Sequence, residues 1–321
     1  SEQEIKVKSG RVTSIISKAT GVLTSIKDQE AEWLRSPLHL NFWRPTTNND
    51  EGAKLDHNLK VWQYAGVRAT AKSVKVIKEG SDVVVTADIN IPAGKSSATI
   101  VYRFTGAEQC SIHTIFRADQ LPTIPRIGFS AHVSSRNGSL EWYGKGPHEN
   151  YIDRQTGSWT TLHSGYVPNL FFRYVDPQES GQRTGIRWAK LGSPDSPKGL
   201  RIDAQGADLL EISCYPCSAQ DVTLAAHPSS LAQRDFFTLN IDHKHSGLGG
   251  TDSWGATALP HYQLHSNREY EWSLLLSFDE VPVIMPKAPE GSDPPSHIGL
   301  PAMIAHKVEP SRRVSRVSKW H

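Results

Sequence analysis

The chain of 321 residues is long enough to bury a full hydrophobic core, and its 37% hydrophobic content is typical of a globular protein. Its 35 lysines and arginines nearly balance its 33 aspartates and glutamates, so no overall basic charge indicates nucleic acid or an anionic membrane as a partner. No segment approaches the roughly 20 apolar residues that span a bilayer, and the first residues of the sequence lack the basic and apolar regions typical of a signal peptide. The 3 cysteines favour a reducing compartment, so a cytoplasmic protein is expected.

Short runs of β-branched residues between turn residues predict strands along nearly the whole chain. The predicted strands span residues 4–8, 11–17, 22–27, 73–78, 82–91, 98–104, 110–117, 139–143, 183–190, 199–204, 209–215, 236–242 and 269–278. The first three are separated by turn residues and predict consecutive hairpins. Without the strand–helix alternation of a (β/α)₈ barrel, this spacing predicts an all-β protein, a large antiparallel sandwich.

One short segment departs from the strand pattern. Ser218 and Asp221 have the spacing of a capping box, and an apolar stretch, residues 222–226, follows them. A short helix is predicted there. Just before it, Cys214 and Cys217 have the spacing of a redox or metal site, but no second such pair follows, so we interpret them as packing thiols.

The character of the chain changes after residue 278. Five prolines lie close together between residues 282 and 295, and a basic run occupies residues 312–319. This composition predicts one folded domain over residues 1–278 and a disordered, Pro-rich and basic tail over residues 279–321. A short charge run of this kind is interpreted as a solvated extension.

Two runs of unusual composition point to carbohydrate chemistry. Residues 247–254 form a glycine-rich turn that ends in Trp254, and residues 144–154 read GKGPHENYIDR. Glycines permit positive φ and close backbone approach, so such a loop can present an indole where no strand would place it. The flat face of an indole suits the apolar face of a pyranose.

Four segments, residues 38–52, 142–154, 174–185 and 240–254, resemble, in that order and at similar separations, the C-terminal domain of glycoside hydrolase family 2 β-galactosidases of the LacZ type. The resemblance covers residues 4–278. It implies a supersandwich of the galactose-mutarotase-like type, in agreement with the strand pattern. Some members of that family carry this unit as the separate small chain of a two-chain enzyme.

The resemblance implies a composite active site. A retaining β-galactosidase needs two carboxyl groups about 5 Å apart, and the family carries both on a central barrel that is absent here. No catalytic residue and no cofactor is therefore expected in this chain, since the Mg and Na of the family enzymes belong to the barrel domain. The expected function is that of a small chain or C-terminal fragment. It would hydrolyse β-D-galactosides such as lactose only together with a barrel-bearing large chain or with missing N-terminal domains, and the isolated chain is expected to be inactive.

The resemblance also implies four substrate-binding residues. Trp254 matches the tryptophan that reaches the galactoside pocket from the C-terminal domain. Asn49, Asp50 and Gly52 match the start of a mobile loop that closes over that pocket, and a glycine hinge would ease the motion.

Other polar residues have site chemistry but are interpreted as structural. Glu149 and Asp153 are expected to brace their loop by hydrogen bonds and an arginine pair. Asp242, His243 and His245 have ligand chemistry, and the two histidines would share a face if the strand continues through them, but a third metal ligand is not evident. For these residues a structural role, or a role in orienting the residues that contact a ligand, is expected. The alternative function is a stand-alone carbohydrate-binding or aldose-epimerase-like sandwich, which would need its own acid/base pair.

Overall fold

The computed structural model describes residues 3–29, 31–193, 198–252 and 254–279. The described residues form 18 strands: β1 (Glu4–Ser9), β2 (Val12–Ser17), β3 (Leu23–Asp28), β4 (Ala31–Glu32), β5 (His39–Asn41), β6 (Thr70–Glu79), β7 (Asp82–Asn90), β8 (Ser97–Phe104), β9 (Cys110–Arg117), β10 (Arg126–Ser134), β11 (Ser139–Gly146), β12 (Trp159–Tyr166), β13 (Arg183–Ile186), β14 (Trp188–Gly192), β15 (Gly199–Gln205), β16 (Leu210–Tyr215), β17 (Phe236–His245) and β18 (Glu269–Asp279).

Helices are few and short in this part of the chain. They are α1 (Asn48–Gly52), α2 (Leu55–Asn58), α3 (Val167–Leu170) and α4 (Ala219–Leu224), with 3₁₀ turns at Lys60–Trp62, Pro228–Ser230 and Pro260–Tyr262. None of them has the length and apolar character needed to cross a membrane.

The strands form three antiparallel sheets. The largest has nine strands in the order β12-β11-β14-β15-β18-β9-β8-β7-β6, the second has the order β13-β16-β17-β10-β5, and the smallest joins β1 to β4 in sequence. Most neighbouring strands in the sheets are consecutive in the chain and form hairpins. Strands joined by a short turn are necessarily antiparallel. The all-β antiparallel fold predicted from the strand spacing is confirmed.

The core lies between the five-stranded and nine-stranded sheets. The Phe129 ring of β10 lies 5.8 Å from the Trp272 ring of β18, and His243 of β17 stacks on the same indole at 5.3 Å. Strands β8 and β9 alternate buried and half-buried residues along their length, as expected of a sheet with one face in the core. Loops at one end of this sandwich carry the candidate site.

Several local predictions are confirmed and one is wrong. The first three strands form consecutive hairpins, and α4 begins with a capping box between Ser218 and Asp221. Residues 183–190, predicted as one strand, are two: β13 pairs with β16 in the five-stranded sheet, whereas β14 pairs with β11 in the nine-stranded sheet. Gly185, with φ +66°, lies where the chain changes sheets.

The remaining sequence predictions fall on the cysteines and the tail. Cys214 and Cys217 are buried free thiols, and burial raises the pKa of Cys217 to about 12. This agrees with their interpretation as packing residues. The predicted tail, residues 279–321, lies outside the described residues except for the backbone of Asp279.

Candidate functional site

Helix α1 is the first part of the candidate site, and a capping box defines its start. The Thr47 side chain accepts a hydrogen bond from the Asp50 backbone N–H at 3.0 Å. The Asp50 carboxylate accepts one from the Thr47 backbone N–H, also at 3.0 Å. This reciprocal cap satisfies two backbone donors that a helix leaves unpaired, so the chain turns into a helix at Asn48.

A buried ion pair attaches α1 to the sandwich. Arg44 donates from Nε and Nη2 to the two carboxylate oxygens of Asp50 at 3.0 and 2.8 Å, and the two side chains are only 5% and 4% exposed. Burial by itself lowers the pKa of Arg44, but the Asp50 carboxylate raises it above the ordinary value. Arg44 also donates to the carbonyl oxygens of Ser246 and Gly247 at 2.9 and 3.3 Å. The pair therefore joins α1 to the start of residues 247–256, which we call the glycine-rich loop.

The glycine-rich loop presents Trp254 at the surface. Gly249, Gly250 and Gly255 have φ of +70°, +81° and +90°. At such positive φ values a residue with a Cβ is strained. A Cβ on Gly249 would also lie 2.3 Å from the carbonyl oxygen of Ala256. The residue Trp254 is 68% exposed and lies outside the core.

Asn49 clamps the glycine-rich loop to α1. Its Nδ2 donates to the carbonyl oxygens of Leu248 at 2.8 Å and Ala256 at 2.6 Å. Its Oδ1 accepts from the Gly255 N–H at 2.7 Å. One side-chain amide thus holds both ends of the segment that carries Trp254.

Gly52 brings the end of α1 against the tip of the same loop. A Cβ there would lie 3.1 Å from the Gly255 Cα and 3.2 Å from the Trp254 ring. Gly52 is not among the residues with positive φ, so close packing is the observed reason for glycine at this position. The hinge role of Gly52, and closure of this segment over a pocket, stay predictions.

Glu149 and Asp153 brace the surrounding loops. Asp153 accepts a hydrogen bond from the Gly249 N–H at 2.8 Å. Glu149 accepts one from the Gly181 N–H at 2.7 Å and forms an ion pair with Arg154. Both carboxylates hold backbone in place, so the hydrogen bonds and the arginine pair expected of them are present.

A second group of charges is fully buried beneath this region. Arg126 contacts the carboxylates of Asp242 at 3.1 Å and Glu179 at 3.0 Å, and all three side chains are at most 1% exposed. Burial raises the pKa of Asp242 to about 7, although Arg126 opposes that shift. A ligand at the surface cannot reach these groups, so their role is structural.

The two histidines of β17 have different neighbours. His243 stacks on Trp272, and burial lowers its pKa to about 4. His245 lies 5.3 Å from the Tyr151 ring, and burial together with Arg126 holds its pKa well below the ordinary value. The prediction that they share a face is wrong, because the register of β17 against β10 shifts at His243, which has no opposing residue in β10. Within the described ranges, no group of three or more His, Cys, Asp or Glu side chains is placed to hold a metal ion.

A cavity of about 240 Å³ lies beside the Arg44–Asp50 pair. Its walls include Thr46 and Gln263 on the polar side and Leu55 on the apolar side, but not Trp254. The exposed indole therefore does not line this pocket. It is a separate, open surface.

The structure brings all four predicted site residues together. Asn49, Asp50 and Gly52 lie on α1, and α1 packs against the loop that carries Trp254. Sequence reasoning did not assign a role to Arg44, although its place six residues before a capping aspartate was a usable signal. Of the four residues, Trp254 has an exposed aromatic face for a ligand, whereas both oxygens of Asp50 are occupied by Arg44.

Comparison with known proteins gives relatives of one kind. The chain is 33% identical over 270 residues to a protein of Priestia megaterium named beta-galactosidase, and 30% identical over 278 residues to one of Lactobacillus delbrueckii subsp. bulgaricus with the same name. The alignments cover 84% and 86% of this chain but 26% and 27% of those proteins. The chain thus spans about a quarter of the length of these relatives.

A solved structure shows the fold, and a family model shows the family. A galactose mutarotase-like protein from Clostridium acetobutylicum superposes with a TM-score of 0.50 at 9% identity, over 86% of this chain and 95% of that one. At this identity the likeness shows the fold alone, a galactose-mutarotase-like antiparallel sandwich. The family model described as beta galactosidase small chain matches residues 8–276. The chain therefore belongs to the beta galactosidase small chain family.

Proposed function

We propose that this chain is the non-catalytic part of a β-galactosidase and supplies Trp254 to a galactoside site that a barrel-bearing chain or domain completes. The observation that carries the proposal is the exposed indole on a loop shaped by positive-φ glycines. A tryptophan left 68% open to solvent on so constrained a backbone does not contribute to the core. Its placement is explained if a ligand or partner covers it.

The indole offers a particular kind of recognition. One face of a galactopyranoside is lined by C–H groups, and it stacks on an aromatic ring without any need for charge. Hydrogen bonds to the hydroxyl groups would then come from the other part of the enzyme. Stacking from this chain and hydrogen bonds from the other part of the enzyme together suit a neutral sugar, since a mostly apolar surface with a few placed polar groups is typical of ligand sites.

Catalysis is assigned to the part of the enzyme outside this chain. Retaining hydrolysis requires an acid/base and a nucleophilic carboxylate about 5 Å apart. Glu149 and Asp153 are engaged in holding Gly181 and Gly249. The relatives named beta-galactosidase are about four times as long as the matched segment, which leaves ample chain for a catalytic domain.

Asn49, Asp50 and Gly52 are proposed to act on the substrate through Trp254. The Asn49 side-chain amide forms hydrogen bonds with three backbone groups of the loop, and the Asp50 carboxylate is paired with Arg44. Gly52 lets α1 reach the loop. They are positioning residues, and Trp254 alone of the four is proposed to touch the sugar.

The test is the KM of the assembled enzyme, purified with its barrel-bearing part. Trp254→Ala is expected to raise KM for a chromogenic β-galactoside about 5- to 150-fold, equivalent to about 1–3 kcal/mol of lost aromatic contact. Trp254→Phe, which keeps an aromatic face, is expected to raise it less. The melting temperature should be unchanged in both variants, because Trp254 is outside the core.

Two controls make this test decisive. Leu224→Ala removes another exposed apolar side chain, on α4, and should leave KM unaltered. A normal KM with a lowered melting temperature in Trp254→Ala would show a structural tryptophan and overturn the proposal. The isolated chain should leave the chromogenic substrate intact, whereas interconversion of galactose anomers by the isolated chain would favour the epimerase-like alternative.

A further inference from the structure

The long edge strands of the three sheets differ in charge. Sheet edges in the described part of the chain are β1 and β4, β13 and β5, and β12 and β6, and of these only β1, β6 and β12 have six residues or more. The strands β1 and β6 both carry charged residues, namely Glu4, Lys6 and Lys8 on β1 and Lys72, Lys75, Lys78 and Glu79 on β6. In contrast, β12 (WTTLHSGY) has no Lys, Arg, Asp or Glu.

Charged side chains, lysines above all, are a common means of keeping a sheet edge from pairing with another chain. The nine-stranded sheet therefore has one protected edge, β6, and one unprotected edge, β12. The unprotected edge is also apolar: Trp159, Leu162 and Tyr166 are 59%, 44% and 46% exposed. Because successive residues of a strand alternate between its faces, Trp159 lies on one face of the sheet and Leu162 and Tyr166 lie on the other. An uncharged edge strand of eight residues with exposed apolar side chains on both faces is one that natural proteins cover.

The backbone of β12 specifies what kind of partner fits. It pairs with β11 along its whole length, and among the described residues no strand lies on its other side. Every second residue of an edge strand directs its N–H and C=O away from the sheet. A partner that pairs with this edge therefore supplies an extended strand, and only an uncharged strand covers Trp159 and Leu162 without burying a lysine.

We propose that β12 pairs antiparallel with β12 of a second copy of this chain, so that two nine-stranded sheets continue into each other across a two-fold axis. Among the described edges longer than four residues, β12 itself is the one that meets the charge requirement, since pairing with β1 or β6 would bring lysines onto the apolar side chains. A two-fold, self-complementary contact is also the commonest way in which identical chains associate.

The alternation of the backbone limits the register. In an antiparallel pair, outward-facing residues must lie opposite outward-facing residues, so a two-fold axis has to place one residue opposite itself. With the axis at Leu162, Leu162 meets Leu162 of the partner subunit, and Thr160 faces Ser164 of the partner subunit. Trp159 then lies over Gly165 of the partner subunit. In this chain Leu170 packs so closely on Gly165 that a Cβ there would be 2.6 Å from it, so the indole meets an apolar side chain.

The experiment measures the mass of the full chain in solution by analytical ultracentrifugation. Wild type at about 100 µM is expected at twice the mass of one chain and should dissociate on dilution, by mass action. Leu162→Lys and Leu162→Glu each place like charges opposite each other at the axis, so each is expected to weaken the dimer at least tenfold. An equimolar mixture of these two variants should form dimers again, because opposite charges then face each other.

The matched control is Val76→Lys, which adds a lysine to the exposed edge strand β6, where the residue is 47% exposed. It should leave the mass unchanged. A wild-type chain that stays at single mass at 100 µM overturns the proposal, and so do Leu162 variants that dimerise as tightly as wild type. Failure of the mixture to recover the dimer rejects the register centred on Leu162. None of these results depends on galactosidase activity, so the proposed function is tested separately.

Discussion

Helices α1 and α4 begin with the same capping motif, but the arginine that pairs with the capping aspartate is buried in α1 and exposed in α4. Each starts with a capping box whose third helical residue is an aspartate, Asp50 in α1 and Asp221 in α4. Each of these aspartates also forms an ion pair with an arginine. In α1 the partner, Arg44, is 5% exposed, whereas in α4 the partner, Arg234, is 44% exposed.

The difference shows how tertiary burial changes what one local motif contributes to stability. A buried charge that loses its partner cannot be rescued by water, whereas an exposed arginine is resolvated at little cost. The α4 cap therefore stabilises mainly its own helix. The α1 cap, through Arg44, also holds the start of the glycine-rich loop.

The largest expected effect separates the two aspartates directly. Asp50→Asn leaves the buried Arg44 charge unpaired and is expected to lower the free energy of unfolding by about 3–5 kcal/mol. Asp221→Asn, the same substitution at the same position of α4, should cost only a small fraction of that. Urea denaturation followed by circular dichroism measures both. Equal losses would show that burial of the partner does not matter here.

The next effect concerns the second helical residue of each helix. Asn49→Ala removes three hydrogen bonds to the glycine-rich loop, so we expect a loss of about 1–3 kcal/mol and faster hydrogen exchange at the Gly255 amide. Gln220→Ala is the matched control, since Gln220 holds the same position in α4 and is exposed. Unchanged exchange at Gly255 in Asn49→Ala would contradict the clamp.

The smallest effect is a pH dependence in α4. The hydrogen bond from Arg234 lowers the pKa of Asp221 to about 2 from its ordinary 3.8. Because the folded state holds the charged form more strongly, the stabilisation is complete above about pH 4 and is lost as the pH falls through about 2. The difference in melting temperature between wild type and Asp221→Asn should therefore shrink over that range. A difference that stays constant from pH 5 to pH 2 would argue against the ion pair.

The predictable part of the fold rests on local signals. Alternating β-branched residues and turn glycines predicted most strands, and the capping box predicted α4. Strand β10 was missed because its sequence, RIGFSAHVS, has only two β-branched residues and contains a glycine and two serines. Strand β12 was missed because its threonines, serine and glycine have no apolar periodicity and its large side chains point to solvent.

In the candidate site, too, local features could be predicted from the sequence and long-range contacts could not. The capping box between Thr47 and Asp50 was not predicted, although its spacing is the same as that of Ser218 and Asp221. The glycine spacing around Trp254 was evident in the sequence and produces the local structure that it predicts. The contacts between this loop and α1 were not evident, because Asn49 and Gly255 are 206 residues apart in the chain. The close packing of Gly52 against Gly255 and Trp254 was not evident either, and the hinge role of Gly52 stays a prediction.

The sequence by itself determined the class of the fold, the position of the α4 cap and the backbone of the glycine-rich loop, because each depends on interactions among residues a few positions apart. Only the tertiary structure decided that Arg44 is buried against Asp50, that Trp254 stays exposed, and that β12 is an edge. Burial and sheet order depend on which distant segments pack together, and a local pattern carries no information about that neighbour. The energetic effect of a charge or an aromatic ring depends on its solvent exposure, so its role can be determined only from the folded chain.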